Sequence, residues 1–451
     1  MSIVIAGASD LGLYLASVLS EEQENVILID PDQKRLESLA RSLDIATLVA
    51  NETDWSVLDS LLEQKPKLFV ALAPHDSTNL LACSIAKNLG YPITVAAITN
   101  PKFLDHTRLD IDRLFFVDHI IAPEVIVAHD LFKVISNPGS VAIETFAHGA
   151  VQMRTVVMPE TWETRQLKHI DFGDDLLVGV IRRKRRFESH EETQVIIPFG
   201  SDELIAGDEV TFVGETSTIL EMPKRFGLPT KKVENAIIAG ANKITSHLVT
   251  ILKNHNIHVK VIEESEEACQ ALAQDHSEVT VMQQDPSNLS FLLSERVDRC
   301  DVFLSATPST EFNILTASLA QEAGASSVYA LVSDMRHAHL LKRLGIDYAL
   351  SEKEGIVSRI LSFIHAESAV STRTLYENQI VIMELKVSAT TKIAGIPIFD
   401  LTHLLPKGCL IALIENRGQI MIAKGERIVA PGDTVIVIIT PDLVGAIKEI
   451  F

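Results

Sequence analysis

The 451-residue chain is poor in cysteine, aromatic residues and positive charge, and it has no long apolar run. The cysteines are far apart and form no C-x-x-C pair, so we expect reduced, buried thiols rather than disulfides or a zinc site; they are Cys83, Cys269, Cys300 and Cys409. The net charge of −20 argues against a nucleic-acid partner, because no phosphate-neutralising field is available. No run approaches the roughly 18 apolar residues that span a bilayer, and no basic leader precedes the first strand, so we expect a cytoplasmic protein without a signal peptide.

What the chain does have is a strand, a glycine turn, a helix, a strand and an acid, in that order, at its start. Residues 2–6 are apolar and lead into Gly7-Ala8-Ser9-Asp10-Leu11-Gly12, and a second apolar run ends on Asp30. This order is typical of a dinucleotide-binding βαβ unit, where the helix N-terminus faces the pyrophosphate and the acid holds a ribose. Ser9 replaces the middle glycine, and Asp10 adds a carboxylate near the ligand's negative charge. The alternative of an empty, merely structural pocket therefore stays open.

Beyond Asp30, apolar runs of strand length alternate with helical periodicity to about residue 121. This alternation predicts an α/β fold with a doubly wound parallel sheet. Such sheets place ligands at the carboxyl ends of their strands, where Gly7, Asp30, Asn51 and Ala73 fall. From about Ser140 the pattern changes to short strands joined by turns, which predicts a smaller β-rich unit.

The same succession then begins again. Gly240 and Glu263 each lie 233 residues after Gly7 and Asp30, and Asn313 repeats Asn79. The offset over many landmarks indicates a tandem duplication. The second turn runs Gly240-Ala241-Asn242-Lys243-Ile244-Thr245 and keeps one glycine, so we expect Asn242 to crowd a pyrophosphate and Thr245 to hold helix and strand apart. Glu263 could still hold a ribose and Lys243 an anion, which predicts a second site that is weaker than the first or vacant.

This order, spacing and duplication resemble, over essentially the whole chain, the TrkA family of cytosolic regulatory subunits of bacterial Trk potassium-uptake systems. The resemblance implies two tandem RCK modules, with Rossmann-like N-lobes at residues 1–138 and 231–366 and β-rich C-lobes at residues 139–230 and 367–451. In the C-lobes, the family's arginine and Gly-Asp turn correspond to Arg183 with Gly207-Asp208 and to Arg417 with Gly432-Asp433.

The resemblance also implies the ligand, which is NAD(H), or else ATP or ADP. The implied binding residues of the first N-lobe are Gly7, Ala8, Ser9, Asp10, Leu11, Gly12, Asp30, Asn51, Glu52, Ala73 and Asn79. Those of the weaker second site are Gly240, Asn242, Lys243 and Glu263. No catalytic residue and no metal ligand is implied.

The implied partner is a membrane-embedded Trk-type potassium transporter subunit. Family members are similar to gating rings, which implies self-association, with a tetramer of two-module chains expected on the inner face of the cell membrane. The competing hypothesis is an NAD-dependent oxidoreductase, because the same βαβ unit serves both functions. The Tyr-x-x-x-Lys pair of one large dehydrogenase group is absent from the sequence, which favours a regulator over an enzyme.

Two further features have competing interpretations. The basic run at residues 182–186 is interpreted as a solvated hairpin loop paired with Glu188, Glu191 and Glu192. Its alternative is a contact with anionic lipid or an acidic partner. His75-Asp76 precedes a predicted helix and is interpreted as its cap.

Overall fold

The structure, a computed structural model, describes residues 2–40, 43–104, 109–137, 140–146, 150–186, 191–228, 232–333, 335, 338–364, 369–376, 379–416, 418–425 and 427–451. These residues form two compact units. The first lies within residues 1–132 and 234–364, and the second within residues 133–233 and 365–451. Each unit therefore joins equivalent parts of the two copies.

The first half of the first unit is a six-stranded parallel sheet whose strands alternate with helices. Its order is β3-β2-β1-β4-β5-β6, which reverses direction beside β1 and puts a crevice at the carboxyl ends of the central strands. The elements are β1 (Ser2–Ala6), α1 (Asp10–Glu21), β2 (Asn25–Asp30), α2 (Gln33–Ala40), β3 (Ala46–Val49), α3 (Trp55–Ser60), β4 (Pro66–Ala71), α4 (Asp76–Leu89), β5 (Thr94–Ala97), α5 (Ile111–Phe115), β6 (His119–Ile121) and α6 (Pro123–Ile135). All of β1 is buried, as expected for an apolar strand at the centre of a parallel sheet.

The next part of the chain forms the antiparallel sheet β11-β10-β13-β8-β7 and a small pair, β12-β9. Its elements are β7 (Ser140–Phe146), β8 (Val151–Val157), β9 (Arg165–Gln166), β10 (Leu176–Arg186), β11 (Glu191–Ile196), β12 (Glu203–Leu204), β13 (Glu209–Glu215) and α7 (Thr216–Arg225). The prediction that residues 182–186 form a loop was wrong, because they continue strand β10.

The parallel sheet then recurs in the order β16-β15-β14-β17-β18-β19, which repeats the order of the first half strand for strand. Its elements are β14 (Asn235–Ala239), α8 (Lys243–Asn254), β15 (His258–Glu263), α9 (Glu266–Asp275), β16 (Thr280–Gln283), α10 (Leu289–Ser294), β17 (Val302–Ser305), α11 (Thr310–Glu322), β18 (Val328–Val332), α12 (Ala338–Arg343), β19 (Tyr348–Ser351) and α13 (Glu352–Ile364). The predicted duplication is therefore present in the structure.

The β-rich part also returns, as the antiparallel sheet β20-β21-β24-β22-β23. Its elements are β20 (Ala369–Leu375), β21 (Ile380–Lys386), β22 (Cys409–Asn416), β23 (Gln419–Ile422), β24 (Thr434–Ile439) and α14 (Val444–Ile450). The predicted fold class, tandem Rossmann-like sheets each followed by a β-rich part, is confirmed.

The two antiparallel sheets of the second unit share one apolar core. They approach closely at Gly179, where an added Cβ would lie 2.6 Å from the Cδ1 atom of Ile438. Tyr376, which directly follows β20 of the second sheet, is hydrogen-bonded through its hydroxyl to Thr211 Oγ1 of the first sheet at 2.7 Å. The second unit is therefore a packed pair of equivalent sheets.

Candidate functional site

The first glycine turn lies between β1 and α1, and close packing requires glycine at both of its ends. Gly7 has a φ of +107°, and a Cβ on it would lie 2.5 Å from the Ala73 backbone nitrogen. A Cβ on Gly12 would lie 2.2 Å from the Gly7 carbonyl oxygen. Ser9 is the N-cap of α1, where its Oγ accepts a hydrogen bond from the Gly12 N–H at 3.2 Å. The serine therefore closes the first turn of the helix.

Asp30 ties this turn to the end of β2. The residue is 3% exposed, its Oδ2 accepts from the Ala8 N–H at 2.6 Å, and its Oδ1 accepts from the Asp32 N–H at 2.8 Å. A carboxylate with two backbone donors is held in one orientation. The sequence placed this acid beside the turn, and the structure adds that the acid also shapes the turn.

The loop after β3 brings a second acid to the same edge of the sheet. Glu52 is 6% exposed, and burial raises the pKa of its carboxyl, with the charge of Asp30 acting in the same direction. Asn51 is exposed and closes its own loop, since its Oδ1 accepts from the Thr53 N–H at 2.9 Å.

Asn79 joins the ends of β4 and β5. Its Oδ1 accepts from the Ala73 N–H at 2.8 Å, and its Nδ2 donates to the carbonyl oxygens of Ala73 and Ala97, both at 2.9 Å. The residue is 2% exposed, and these bonds hold the ends of β4 and β5 together. Asn313 makes the equivalent bonds in the second half, to Thr307 and Leu331.

The second glycine turn has kept its shape by different means. Gly240 has a φ of +108°, and Glu263 accepts from the Ala241 N–H at 2.8 Å, as Asp30 does from Ala8. Asn242 caps α8 and donates through Nδ2 to the Ala306 carbonyl at 2.6 Å. The Thr245 hydroxyl, fully buried, donates to the Gly240 carbonyl at 2.7 Å. Side chains of the second turn therefore bond to the backbone of that turn. Thr245 was expected only to hold helix and strand apart, but its hydroxyl also bonds to the end of the preceding strand.

Lys243 begins α8 in the second half but reaches the first half. Its Nζ donates to Thr99 Oγ1 at 3.2 Å. The two residues border a cleft of about 570 Å³ at the ends of β4 and β5, lined by Pro74, His75, Asp76, Ser77, Thr99, Asn100, Pro101, Phe103 and Lys243. The sequence assigned Lys243 to the second site, and no sequence signal indicates that it extends across the halves.

Asp76 shapes this cleft. Its Oδ1 accepts from the Thr99 N–H at 2.9 Å, and its Oδ2 accepts from the Asn100 N–H at 2.9 Å. As predicted, His75 occupies the N-cap position of α4, but its side chain makes no cap hydrogen bond. The carboxylate instead binds the loop after β5.

Two arginines of the basic run of β10 pair with acids at the start of the neighbouring strand β13 and in the turn before it. Arg183 binds Asp208 through two hydrogen bonds of 2.8 Å, and Arg182 binds Glu209 at 2.9 Å. These pairs favour the structural interpretation of the run. The register of β10 and β11 also places Arg185 opposite Glu192 and Arg186 opposite Glu191, two of the expected acids. Asp433, the counterpart of Asp208, accepts from Asn416 Nδ2. Arg417 lies outside the described residues.

Two kinds of site do not occur among the described residues. They contain no group of three or more His, Cys, Asp or Glu side chains suited to a metal ion. They also contain no helix that is both long enough and apolar enough to cross a membrane.

Comparisons with known proteins agree with this architecture. The TrkA-N domain family matches residues 3–123 and 236–352, and the TrkA-C domain family matches residues 382–451. The "Trk system potassium uptake protein TrkA homolog 1" of Methanosarcina mazei is 27% identical, and the alignment covers 100% of both chains. The "Trk system potassium uptake protein TrkA" of Halomonas elongata is 26% identical over 97% of this chain and 96% of its own length.

Solved structures show the same fold at lower sequence identity. The crystal structure of the GsuK RCK domain has a TM-score of 0.63 and 18% identity, and covers 100% of this chain and 94% of its own. The GsuK channel bound to NAD has a TM-score of 0.63 and 18% identity, over 99% of this chain and 78% of its own.

Proposed function

This chain belongs to the TrkA family, and from that membership we propose that it is the regulatory subunit of a potassium uptake system that responds to a bound nucleotide. The chain is a regulatory protein and not an enzyme, as its sequence predicts. The proposed partner is a membrane-embedded Trk-type transporter subunit at the inner face of the cell membrane. The proposed assembly is a ring of chains, with a tetramer expected.

The observation that carries nucleotide binding is the glycine turn of the first half, held by Asp30. The Ala8 and Asp32 amides fix the carboxylate at the mouth of the turn. The first N–H groups of α1, on Asp10 and Leu11, are those that a phosphate would reach, because helix N-termini leave such donors unbonded within the helix. Asp30 would hold the ribose, and the Glu52 loop would lie beside it.

The cleft beside Lys243 would take the rest of the ligand. It lies at the ends of β4 and β5, and β4 neighbours β1 in the sheet, so a nucleotide extending from the glycine turn would reach it. Lys243 supplies a positive charge for a second phosphate or a terminal phosphate. NAD(H), ATP and ADP all meet this description.

We propose that the second glycine turn binds nucleotide more weakly or not at all. Asn242 carries a side chain where a pyrophosphate would need open backbone, and its amide already bonds to Ala306. Lys243 extends away from its own turn toward Thr99. The second half would thus contribute a cation to the ligand of the first.

Regulation follows if the nucleotide binds two shapes of the first unit unequally. A ligand held by α1, Asp30 and Lys243 fixes the separation of the two halves at these points. The ligand can shift the equilibrium between the two shapes only by the difference in its affinity for them, because equal affinity for both leaves the equilibrium unchanged.

A thermal-shift panel tests this function. NAD, NADH, ATP and ADP are added separately to the full chain, and at least one should raise the melting temperature by mass action. The same samples should show no NADH consumption with common alcohols and acids.

Co-purification with a potassium-translocating membrane protein tests the partner. Absence of any ligand-induced shift, or steady substrate-dependent NADH turnover, would overturn the proposal.

A further inference from the structure

Helix α13 of the second half packs on the first half. It contacts α1 and lies so close to α6 that a Cβ on Gly355 would be 2.5 Å from Asp130 Oδ2. Near the other end of α13, Phe363 contacts His119 of β6. The first unit ends with this helix at Ile364, so the contact lies at the last turn of the unit.

The His119–Phe363 contact is a parallel stack. The ring centroids are 4.0 Å apart and the planes differ by 5°. The Arg359 guanidinium lies one helical turn earlier on α13, with its central carbon 5.4 Å from the centre of the same Phe363 ring. A cation is thus already associated with this ring before the imidazole gains a charge.

Three charged groups surround the imidazole. Asp118 precedes it on β6, Lys87 comes from α4, and Arg359 comes from α13. The Asp118 carboxylate is already engaged by the Lys87 ammonium at 2.8 Å and by the Thr94 N–H at 2.8 Å. Its attraction for a protonated imidazole is therefore largely compensated.

The balance of these effects favours the neutral ring. Burial lowers the pKa of His119 below its ordinary value, and Arg359 and Lys87 act in the same direction, while Asp118 opposes them. A histidine whose pKa falls on folding stabilises the folded contact fully above the unfolded value of about 6.5, and that stabilisation is lost as the pH falls through the folded pKa.

We propose that His119 is an acid-sensitive latch, which holds the end of α13 on the first half while it is neutral and loosens it when it is protonated. The latch gives this regulator a second input, the proton, which acts away from the glycine turn. It does not depend on the proposed nucleotide function.

Hydrogen exchange of the full chain tests the latch. Peptides covering residues 356–364 are compared at pH 7.5 and 5.5, with exchange times corrected for the intrinsic effect of pH. Wild-type protein should exchange there about three- to tenfold faster at pH 5.5. His119→Phe keeps a stacking ring without a titratable group, so its exchange should be the same at both pH values. Arg359→Gln should reduce the acid effect, because it removes a cation that repels the imidazolium.

His255→Phe is the matched control. His255 also contacts a phenylalanine, Phe132, with centroids 4.3 Å apart, but it is exposed. This variant should keep the wild-type acid response. The latch is refuted if wild-type exchange in residues 356–364 is insensitive to pH, or if His119→Phe loosens on acidification as much as the wild type does.

Discussion

At the scale of single residues, the candidate site contains two acids, Asp30 and Glu52, whose surroundings differ. Asp30 accepts a backbone hydrogen bond at each of its two carboxylate oxygens, which fixes its orientation beside the glycine turn. Glu52 is buried nearby with a raised pKa, so its charge at neutral pH opposes folding. Asp30 is therefore the acid whose carboxylate is held in position for the proposed ribose contact.

Glu52→Gln should stabilise the protein at pH 7. The pKa of Glu52 is raised on folding, so its contribution to stability is full below about pH 4.5 and is lost as the pH rises through the folded value. The amide removes this loss, and we expect the melting temperature to rise by about 2 °C at pH 7. The gain should vanish near pH 4.5. Glu63→Gln, an exposed control in the same half, should change little, and an equal gain there would contradict the explanation.

At the scale of elements, the strand–turn–helix unit depends on backbone contact at Gly7. Gly90, at the end of α4, offers a comparison because both glycines have a φ of +107°. A Cβ at Gly7 meets the backbone of Ala73, whereas a Cβ at Gly90 has no atom within 4 Å. The two positions therefore separate the cost of the left-handed conformation from the cost of packing.

Gly90→Ala should lower the free energy of unfolding by about 1–2 kcal/mol, because alanine is strained in the left-handed conformation. Gly7→Ala should lower the free energy of unfolding by about 1–3 kcal/mol more than Gly90→Ala does, because the ends of strands β1 and β4 must move apart to make room for the methyl group. Urea unfolding of the two variants, followed by circular dichroism, gives the difference. Equal losses would show that the turn does not depend on this close approach.

The sequence was a good guide to elements and a poor guide to contacts between them. Apolar runs and the repeated offset predicted both parallel sheets, because buried strands and amphipathic helices carry local patterns. The same local signals misassigned residues 182–186 as a loop, because the strand pairing that includes them joins residues far apart in the sequence, such as Arg182 and Glu209. The contacts of the Asp76 carboxylate were not predicted for the same reason: its partners, Thr99 and Asn100, lie more than twenty residues away.

At the scale of the whole molecule, duplication has made the two halves unequal. The first turn keeps Gly7 and Gly12, whereas the second fills the equivalent space with the Thr245 hydroxyl. Lys243 occupies the helix position that Asp10 has in the first half, and it faces the cleft of the first half. These differences support the proposal that the first half binds the nucleotide and that the second half supports it.

Lys243→Gln should weaken nucleotide binding by about two- to fivefold, as expected for an exposed ion pair. The loss should be larger for ATP than for ADP and should shrink at high salt, because screening already weakens the contact. Lys253→Gln removes the same charge from the other end of α8, where Lys253 binds Glu278. Titration calorimetry should show a loss of nucleotide affinity for Lys243→Gln and none for Lys253→Gln. Equal losses of affinity in the two variants would mean that only the net charge of the protein matters.

The most direct test of the account is the number of nucleotides bound by each chain, measured by titration calorimetry with the nucleotide that gives the largest thermal shift. We expect one nucleotide per chain, lost in Asp30→Ala and retained in Glu263→Ala. Two equivalent nucleotides per chain, or a single one that survives Asp30→Ala and disappears in Glu263→Ala, would contradict the assignment of the binding site to the first half.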